Sequence, residues 1–389
     1  MKIALIGQKG IPAKSGGVEK HVEKLAERLV SLGHEVTVYT RPHYTDPSLS
    51  VWHGVRLISL PSIRTKHLDA ITHAFLSTMH ALFGDYDVIH YQSIGPSTLA
   101  FIPRIFKRNT LVVSTFHSRD YFHKKWNWFA RKFLLFAERV TCTVPEKTIV
   151  ISRGMVDYAR AQYGSDLSFI PNGAEGDPVE TVDFLRSFGL REKRYILVVS
   201  RLVGHKGIHY LLKAFQELED TGKLPNNMKL AVVGAHAETP EYEKYLKTMS
   251  AGRENILFLG EQTGTALAEL FSHAAVFVQP SEDEGLSIAL LEAMSYGLPI
   301  VASDIEGNEE ALGGAGIFFE AKNVESLKKE LGSLVNRPEE MEMFGKLARG
   351  RAQSVYSWES IARQTVEVYE EALREKFGET YGIRNRKNA

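Results

Sequence analysis

The sequence predicts a two-domain α/β protein in which each domain is a doubly wound parallel sheet. Its 389 residues are about two and a half times the roughly 150 residues of a typical domain. Apolar runs of strand length alternate with segments of helical periodicity, an order typical of parallel sheets with helices on both faces. The same order restarts near residue 195, after the turn-rich stretch IPNGAEGDP at residues 170–178. We therefore expect two domains of similar size that face one interdomain cleft.

The first half of the chain opens with a strand, a glycine-rich loop and a helix. Apolar residues between Val18 and Val30 recur at helical spacing, and Gly33 ends that helix. Further strands follow in alternation with helices, one of them a helical stretch between the strands that end at Tyr91 and begin at Thr110. The pattern predicts strands at Lys2–Ile6, Glu35–Tyr39, Asp87–Tyr91, Thr110–Thr115 and Thr148–Ile151, and a helix at about Arg153–Tyr163.

The second half repeats this order and defines the domain limits. Its predicted strands are Tyr195–Ser200, Lys229–Gly234, Ile256–Leu259, Ala275–Val278 and Pro299–Ala302, with helices at Ile208–Leu218, 265–274 and 287–296. We expect domains at residues 1–172 and 191–357, a linker at 173–190, a helix at 358–377 that crosses back to the first domain, and a tail at 378–389.

Composition and charge exclude several classes of protein. The chain has 47 basic and 47 acidic residues, so no overall field favours nucleic acid. Residues 1–190 nevertheless carry 23 basic and 17 acidic side chains, and the remainder carries the opposite excess. A single cysteine, Cys142, excludes an internal disulfide and a cysteine-based metal cluster. With no signal-peptide pattern and no apolar run long enough to span a bilayer, we expect a cytoplasmic protein.

The strongest candidate for a ligand site is PSEDEGLSIALLEAMSYGLPIVAS at residues 280–303. It follows a strand, and Glu284 and Glu292 lie eight positions apart. If a helix begins near Gly285, both carboxylates can point along one side of it, toward its N-terminus. Acceptors for ligand hydroxyls would then lie beside backbone N–H donors for phosphate. The alternative is an acidic helix start that complements the helix dipole, with Glu292 at the surface.

Three other loops follow strands and carry polar or small residues. In SRLVGHKG, residues 200–207, Arg201 and Lys206 could both reach a diphosphate, although a solvated basic loop is the alternative. In GQKGIPAKSGGVEKH, Gly16 and Gly17 open a helix, but neither a dinucleotide fingerprint nor a P-loop is present. His117, after the strand that ends at Thr115, could bind a sugar hydroxyl or serve the fold alone.

Together these motifs resemble the retaining, nucleotide-sugar-dependent glycosyltransferases of family 4. The pattern is E-G-x-x-x-x-x-x-E-A-M followed by G-x-P-I-V-A-S, preceded by R-L-V-x-x-K-G and an early G-G-V-E. The resemblance extends from Met1 to about Leu373, with the motifs in the family's order and spacing. It implies the GT-B fold, with an N-terminal acceptor-binding domain and a C-terminal nucleotide-sugar-binding domain.

The resemblance also implies roles for individual residues. Arg201 and Lys206 would stabilise the leaving diphosphate in place of a metal ion, so we expect neither a metal nor another cofactor. Glu284 would lie near the donor-sugar hydroxyls, and Glu292 would bind the ribose. The remaining correspondences are Gly16 and Gly17 in the loop that closes over the diphosphate, His117 near the sugar, Asn172 and Gly173 in a P-N-G hinge, and Glu310 in the loop after the last core strand.

Several positions depart from the family pattern. Leu286 and Ser287 replace the usual aromatic residue and second glycine after Gly285, so contacts to the donor sugar can differ. After Gly234 the chain continues with Ala235 and His236 instead of an acidic residue and a glycine. Gly260 and Glu261 begin the loop that faces the nucleobase in the family, where backbone groups usually read the base.

The expected function is transfer of a sugar from a nucleotide-sugar, with a UDP-sugar preferred, to a glycan or lipid-linked acceptor in envelope or polysaccharide biosynthesis. The alternatives are a silent sugar-nucleotide-binding module and a sugar-nucleotide epimerase of similar architecture. Residues 122–139, FHKKWNWFARKFLLFAER, interleave basic and aromatic side chains, which is typical of a helix at an anionic membrane surface. The alternative is a packed helix whose aromatic residues belong to the core.

Overall fold

The protein comprises two compact units in the computed structural model. The structure describes residues 1–14, 16–65, 68–118, 128–235 and 240–378, without the side chains of residues 128–131. Unit 1 comprises Met1–Asn172 together with the chain from Trp358 onward, and unit 2 comprises Gly173–Ser357. The predicted α/β architecture with two parallel sheets is confirmed.

Unit 1 is built on an eight-stranded sheet. Its strands are β1 (Lys2–Ile6), β2 (Glu35–Thr40), β3 (Val51–Trp52), β4 (Val55–Ser59), β5 (Val88–Gln92), β6 (Leu111–Phe116), β7 (Lys147–Val150) and β8 (Ser168–Phe169). They lie in the order β3-β4-β2-β1-β5-β6-β7-β8, and every pair is parallel except β3 and β4. The order reverses between β1 and β5, because successive strands are added on opposite sides of β1.

Helices cover both faces of this sheet. They are α1 (Gly17–Ser31), α2 (Asp69–Phe83), α3 (Ile94–Ser97), α4 (Phe101–Phe106), α5 (Trp128–Thr143) and α6 (Arg153–Tyr163), with the C-terminal α15 (Trp358–Phe377). Alternate residues of β1 point to opposite faces. Ile3 and Leu5 pack in one apolar cluster with residues of α1 and α15, and Ala4 and Ile6 pack in another with residues of α2.

Helix α5 contains the described part of the basic and aromatic stretch, whose residues 122–127 lie outside the described residues. Leu134, Ala137 and Val140 are buried against unit 1. Phe133 and Phe136 are instead 42% and 58% exposed, so the alternative that the aromatic residues are core is wrong for these two. The described helices include none that is long and apolar enough to cross a bilayer.

Unit 2 is built on a six-stranded sheet that is entirely parallel. Its strands are β9 (Tyr195–Val199), β10 (Lys229–Val233), β11 (Ile256–Gly260), β12 (Val276–Gln279), β13 (Ile300–Ser303) and β14 (Ile317–Phe319), in the order β11-β10-β9-β12-β13-β14. Its helices are α7 (Asp183–Ser187), α8 (Ile208–Asp220), α9 (Glu241–Met249), α10 (Gly264–His273), α11 (Ile288–Ser295), α12 (Glu306–Leu312), α13 (Val324–Leu334) and α14 (Pro338–Val355).

The strand order of unit 2 determines where its loops meet. β9 pairs with β10 on one side and with β12 on the other. The chain therefore adds strands in one direction from β9 to β11 and in the opposite direction from β12 to β14, and the strand order reverses between β9 and β12. Ligands of doubly wound sheets bind at the carboxyl ends of the strands at such a reversal. The loops that follow β9 and β12 carry the strongest sequence motifs, so the topology brings the two motifs to one place.

Residues 173–190, which the sequence predicts as a linker, belong to unit 2. Leu185 is buried, and the Glu269 carboxylate accepts hydrogen bonds from the backbone N–H groups of Phe184 and Leu185 at 2.9 and 3.4 Å. These bonds supply partners to N–H groups at the start of α7, which have none within the helix. The segment is therefore packed rather than extended. Most of the predicted tail, residues 379–389, lies outside the described residues.

Candidate functional site

The loops after β9 and β12 are joined by backbone contacts. The N–H of Glu282 donates to the carbonyl oxygen of His205 at 2.7 Å. Gly207 has a φ of 66°, and a Cβ at this position would lie 1.8 Å from the carbonyl oxygen of Pro280. Only glycine therefore allows the two loops to approach this closely. The approach places Lys206 next to Glu284, although 78 positions separate them in the sequence.

Lys206 and Glu284 form a mostly buried ion pair. Their side chains are 13% and 11% exposed, and the Lys206 ammonium donates to Glu284 Oε1. The same oxygen accepts from Gln279 Nε2 and from Ser281 Oγ, each at 2.8 Å. Burial alone would raise the pKa of the Glu284 carboxyl, but the charge of Lys206 and the hydrogen bonds from Lys206 and Ser281 outweigh it and lower the pKa. Glu284 is therefore ionised and can only accept hydrogen bonds.

Arg201 lies on the same loop as Lys206 and is exposed. The next residue, Leu202, is 1% exposed, and its N–H donates to the carbonyl oxygen of Ala235 at 3.0 Å. This anchor fixes the start of the loop against the end of β10, while Lys206 is fixed by Glu284. Both cations predicted to bind a diphosphate thus lie on one anchored loop at the carboxyl edge of the sheet.

The helix that carries Glu292 lies within one residue of the range 287–296 that the sequence predicts. α11 begins at Ile288 rather than near Gly285, and Ser287 is its N-cap, with Oγ accepting from the N–H of Leu290 at 3.4 Å. Serine is a preferred N-cap residue, which explains the boundary. Glu284 is therefore a loop residue, and Glu292 lies in the second turn of α11 and is partly buried.

The residues around Gly285 are packed within the loop that follows β12. Leu286 and Ser287, the two departures from the family pattern, are 5% and 9% exposed. A Cβ on Gly307 would lie 2.4 Å from the carbonyl oxygen of Glu284 and 2.5 Å from that of Gly285. The absence of a side chain at Gly307 therefore lets α12 pack directly on the loop that carries Glu284.

Gly260 and Glu261, expected to begin the loop that faces the nucleobase, lie at a strand end next to that of Gly234 in unit 2. The N–H of Gly234, just after β10, donates to the carbonyl oxygen of Gly260 at 2.7 Å, where the β10–β11 register shifts. Glu261 follows β11 and is exposed. His236 lies outside the described residues. Glu310 is on α12, and its carbonyl oxygen accepts from Arg351 and from Tyr356, so that part of the helix is tied to α14.

Gly16, Gly17 and His117 belong to unit 1. Gly17 is the first residue of α1, and Glu19 Oε1 in the first turn accepts from the N–H of Lys9 at 3.1 Å, which ties the glycine-rich loop to the helix. A Cβ on Gly16 would lie 2.2 Å from Glu19 Oε2. The loop is thus anchored by a carboxylate that the sequence motif did not single out.

His117 is 7% exposed at the end of β6. Its Nε2 lies 2.8 Å from Gln92 Oε1, and its ring lies 4.8 Å from that of His21. An amide oxygen can only accept, so Nε2 carries the hydrogen and Nδ1 a lone pair. Burial, with the nearby His21 and His90, holds the pKa of His117 well below its ordinary value. His117 is therefore a neutral imidazole at physiological pH.

Sequence reasoning did not foresee the network around His117. His21 Nδ1 lies 3.0 Å from the Oδ1 of Asn172, and His90 contacts Tyr369 and Thr115 at 2.6 and 2.7 Å. The residues come from α1, β5, β6 and α15, so no spacing along the chain relates them. Gln279 and Ser281 were also missed, although they precede Glu284 by only five and three positions within its motif.

Within the described ranges, no group of three or more histidine, cysteine, aspartate or glutamate side chains is arranged to hold a metal ion. Expected metal independence therefore stays a prediction.

Two family models match the chain. "Glycosyltransferase Family 4" matches residues 15–176, and "Glycosyl transferases group 1" matches residues 184–351. Among characterised sequences, the chain is 28% identical to the MMP alpha-(1->4)-mannosyltransferase of Mycolicibacterium hassiacum, over 96% of this chain and 98% of that protein. It is 25% identical to spore coat protein SA of Bacillus subtilis, over 95% and 99% of the two chains.

Solved structures give the same fold. Sucrose-phosphate synthase from Thermosynechococcus elongatus superposes with a TM-score of 0.79 at 24% identity, over 95% of this chain and 98% of that one. HepE of Anabaena, solved in complex with UDP-glucose, superposes with a TM-score of 0.78 at 18% identity, over 95% and 100%. The two family models lie one on each half of the chain, and the chain belongs to the family 4 glycosyltransferases with the GT-B fold.

Proposed function

We propose that this glycosyltransferase moves a sugar from a nucleotide-sugar, with a UDP-sugar preferred, to a glycan or lipid-linked acceptor, without a metal ion and with retention at the anomeric carbon. The observation that carries the proposal is the anchored arrangement of Arg201, Lys206 and Glu284 in unit 2. The similarity to HepE, which was solved with UDP-glucose, supports the choice of donor.

The chemistry follows from the charges of these residues. The bond between the anomeric carbon and the diphosphate oxygen breaks, and the diphosphate leaves with additional negative charge. Arg201 and Lys206 stabilise this charge, which is the work that a metal ion would otherwise do. Glu284 is ionised, so it accepts hydrogen bonds from donor-sugar hydroxyls and does not donate a proton.

Retention requires that the acceptor oxygen bond to the anomeric carbon on the face from which the diphosphate departs. The proton of the acceptor hydroxyl then passes to the leaving diphosphate, and no enzymic base is needed. Glu284 and Glu292 do not form the pair of carboxylates that flanks a bond in glycosidases, because they belong to one loop and the helix that follows it. A neutral His117 fits a role in binding a sugar hydroxyl.

A thermal-shift screen with UDP, GDP, TDP and ADP tests the donor. At 100 times its dissociation constant, a specific ligand adds roughly 2.7 kcal/mol of stability. We expect UDP to give the largest rise in melting temperature. A larger rise with GDP, TDP or ADP contradicts the preference for uridine, and no rise with any nucleotide contradicts the nucleotide-sugar proposal.

Turnover of a radiolabelled nucleotide-sugar panel, with and without EDTA, tests the reaction. Transfer or slow donor hydrolysis that persists in EDTA and falls in Glu284→Ala is the expected result, and NMR of the product gives its anomeric configuration. Binding without any turnover would indicate the silent module. Conversion of the donor to an isomer without an acceptor would indicate the epimerase.

We also propose that unit 1 contacts an anionic membrane surface through α5, which would bring a lipid-linked acceptor within reach. Phe133, Leu135 and Phe136 are 42%, 43% and 58% exposed, and Lys132 and Arg139 on the same helix are exposed as well. The one acidic side chain in the described part of α5, Glu138, is fully buried and accepts from the hydroxyl groups of Tyr158 and Tyr163. Exposed apolar and cationic groups without an exposed acid favour an anionic interface.

Flotation of the full chain with vesicles tests this contact. We expect recovery with vesicles that contain phosphatidylglycerol and much less with pure phosphatidylcholine. Equal recovery with both, or none with either, overturns the membrane proposal and leaves the transfer reaction unaffected.

A further inference from the structure

We propose that Gln279 and Ser281 are positioning residues that keep the Glu284 carboxylate in place when Lys206 turns from it to the donor diphosphate. This inference rests on the proposed function, in which Lys206 contacts the diphosphate and Glu284 contacts the sugar. In the structure Lys206 donates to Glu284. A donor must therefore compete for the ammonium, and a carboxylate held by Lys206 alone would be released as the donor binds.

The hydrogen bonds around Glu284 show how the carboxylate remains held. Gln279, the last residue of β12, donates from Nε2 to Ser281 Oγ at 3.0 Å and to Glu284 Oε1 at 2.8 Å. Ser281 Oγ donates in turn to Glu284 Oε1 at 2.8 Å. Because an ionised carboxylate only accepts, the amide must present its NH₂ group, and Ser281 can accept from Gln279 while donating to Glu284. Two of the three donors on this oxygen are thus independent of Lys206.

The two residues are rigid supports, since Gln279 and Ser281 are each 1% exposed. The carbonyl oxygen of Ser281 accepts from Ser303 Oγ at 2.6 Å, and Ser303 accepts from Asn308 Nδ2 at 3.0 Å. The backbone that precedes Glu284 is therefore fixed from β13 and α12. Side chains held in this way keep a binding group within a fraction of an ångström of its position.

The side-chain amide of Gln279 also has an unfavourable feature, which indicates why a polar residue lies at this position. Its Oε1 is buried and has no hydrogen-bond partner. An unsatisfied buried acceptor is unfavourable, and an apolar side chain of similar size would avoid it. The polar side chain at this position therefore serves the carboxylate through its NH₂ group rather than the packing of the sheet.

Nucleotide and nucleotide-sugar affinities separate positioning from a general structural role. Gln279→Met and Ser281→Ala remove one donor each, and Gln216→Met is the matched control, because Gln216 donates to the carbonyl oxygen of Met249 in the same unit. The dissociation constants of UDP and UDP-glucose, and of GDP and GDP-mannose, are measured by calorimetry. We expect the nucleotide-sugar to bind about tenfold more weakly in each variant, the value of one hydrogen bond to a charged group, and its nucleoside diphosphate to bind unchanged.

The pH dependence gives a second readout. Loss of a donor raises the pKa of Glu284, so the acidic pH at which nucleotide-sugar affinity falls should move upward in Gln279→Met. A result in which both ligands weaken equally, or in which Gln279→Met and Ser281→Ala behave like Gln216→Met, overturns the inference while the proposed function stands. A wild-type protein that binds neither pair overturns the proposed function, and the inference with it.

Discussion

The candidate site residues at the carboxyl edges of the two sheets differ in charge. In unit 2 the edge presents an ammonium and an ionised carboxylate, Lys206 and Glu284, held by loops that approach each other through Gly207. In unit 1 the candidate residue is His117 after β6, neutral and linked to Gln92 and His21, while an ion pair between Arg41 and Asp69 follows β2 at the same edge. Fixed charges stabilise a charged leaving group, whereas neutral donors and acceptors match hydroxyls. The proposed function, in which the diphosphate binds to unit 2, agrees with this contrast.

The outer helices show a second difference. In unit 1 three helices on the described part of the chain each expose three large apolar side chains: Phe75, Leu76 and Phe83 on α2, Phe101, Ile105 and Phe106 on α4, and Phe133, Leu135 and Phe136 on α5. In unit 2 the exposed large apolar residues are scattered over α9, α14 and the end of α7. A concentration of exposed apolar surface marks an interaction site, so unit 1 is the unit to test for a surface-bound partner.

The largest expected effect is the loss of Lys206. Lys206→Ala removes a cation from the diphosphate and leaves the Glu284 carboxylate buried without its ion-pair partner. We expect kcat/KM to fall by about 2–4 kcal/mol of transition-state stabilisation, or roughly 30- to 1000-fold. Steady-state kinetics on the donor identified by the nucleotide screen measure it.

Lys247→Ala is the matched control for Lys206→Ala. Lys247 pairs with Glu243 on the surface of α9 and is 54% exposed, and exposed pairs of this kind contribute little. Turnover in Lys206→Ala equal to that of Lys247→Ala would remove Lys206 from the mechanism and with it the contrast between the two edges.

How far the sequence predicted the fold depends on where each element buries its apolar residues. The helix expected at 153–163 is Arg153–Tyr163, and the ten predicted strands lie within one residue of their predicted limits, whereas β3, β4, β8 and β14 were not predicted. Helix α2 was not predicted because its periodicity is inverted. His73, Ser77 and Thr78 are buried, while Phe75 is exposed. A pattern that equates apolar with buried cannot find such a helix.

In the candidate site, too, local features could be predicted from the sequence and contacts between distant segments could not. Each motif was visible in the sequence, since strand ends, glycines and charged residues are local features. The Lys206–Glu284 pair was not, because it arises from the pairing of β9 with β12 and from the close approach at Gly207. The N-cap role of Ser287 was also missed, because the residue was regarded only as a departure from a glycine pattern.

Acid should destabilise unit 1 more than unit 2. Burial lowers the pKa of His21 to about 4 and of His90 to about 3, against 6.5 for an ordinary histidine. Below pH 6.5 the unfolded chain therefore binds protons that the folded unit does not, so stability falls as the pH decreases toward these folded-state values. At pH 5 each such histidine costs about 2 kcal/mol.

Tryptophan fluorescence isolates this acid effect. Trp52 and Trp358 belong to unit 1, and residues 173–357 of unit 2 contain no tryptophan, so tryptophan emission reports the unfolding of unit 1, while circular dichroism reports both units. We expect the midpoint of unfolding measured by fluorescence to fall faster than the midpoint measured by circular dichroism as the pH decreases from 6.5 to 5. His90→Gln should make the fluorescence midpoint less dependent on pH. If the two midpoints change equally with pH, the assignment of neutral histidines to unit 1 is contradicted.

Removal of the apolar side chains from the proposed membrane contact should have the next largest effect. Phe133 and Phe136 retain about half of their surface exposed, and burying it contributes about 1 kcal/mol each. The double variant Phe133→Ser and Phe136→Ser should therefore bind anionic vesicles roughly 30-fold more weakly. Met343→Ser with Leu347→Ser, on an exposed face of α14, is the control, and an equal loss in both double variants would show that α5 is not the contact.

Removal of a cationic side chain from the same contact should have the smallest effect. A lysine close to an anionic leaflet contributes about 1 kcal/mol, so Lys132→Gln should weaken vesicle binding about fivefold at low salt. Since the Debye length shortens from roughly 30 Å at 0.01 M to 10 Å at 0.1 M salt, the difference from wild type should shrink as salt is added. The serine double variant loses apolar contact instead, and its deficit should persist in salt. If both deficits respond to salt alike, the aromatic residues of α5 do not enter the interface, and the contact is electrostatic alone.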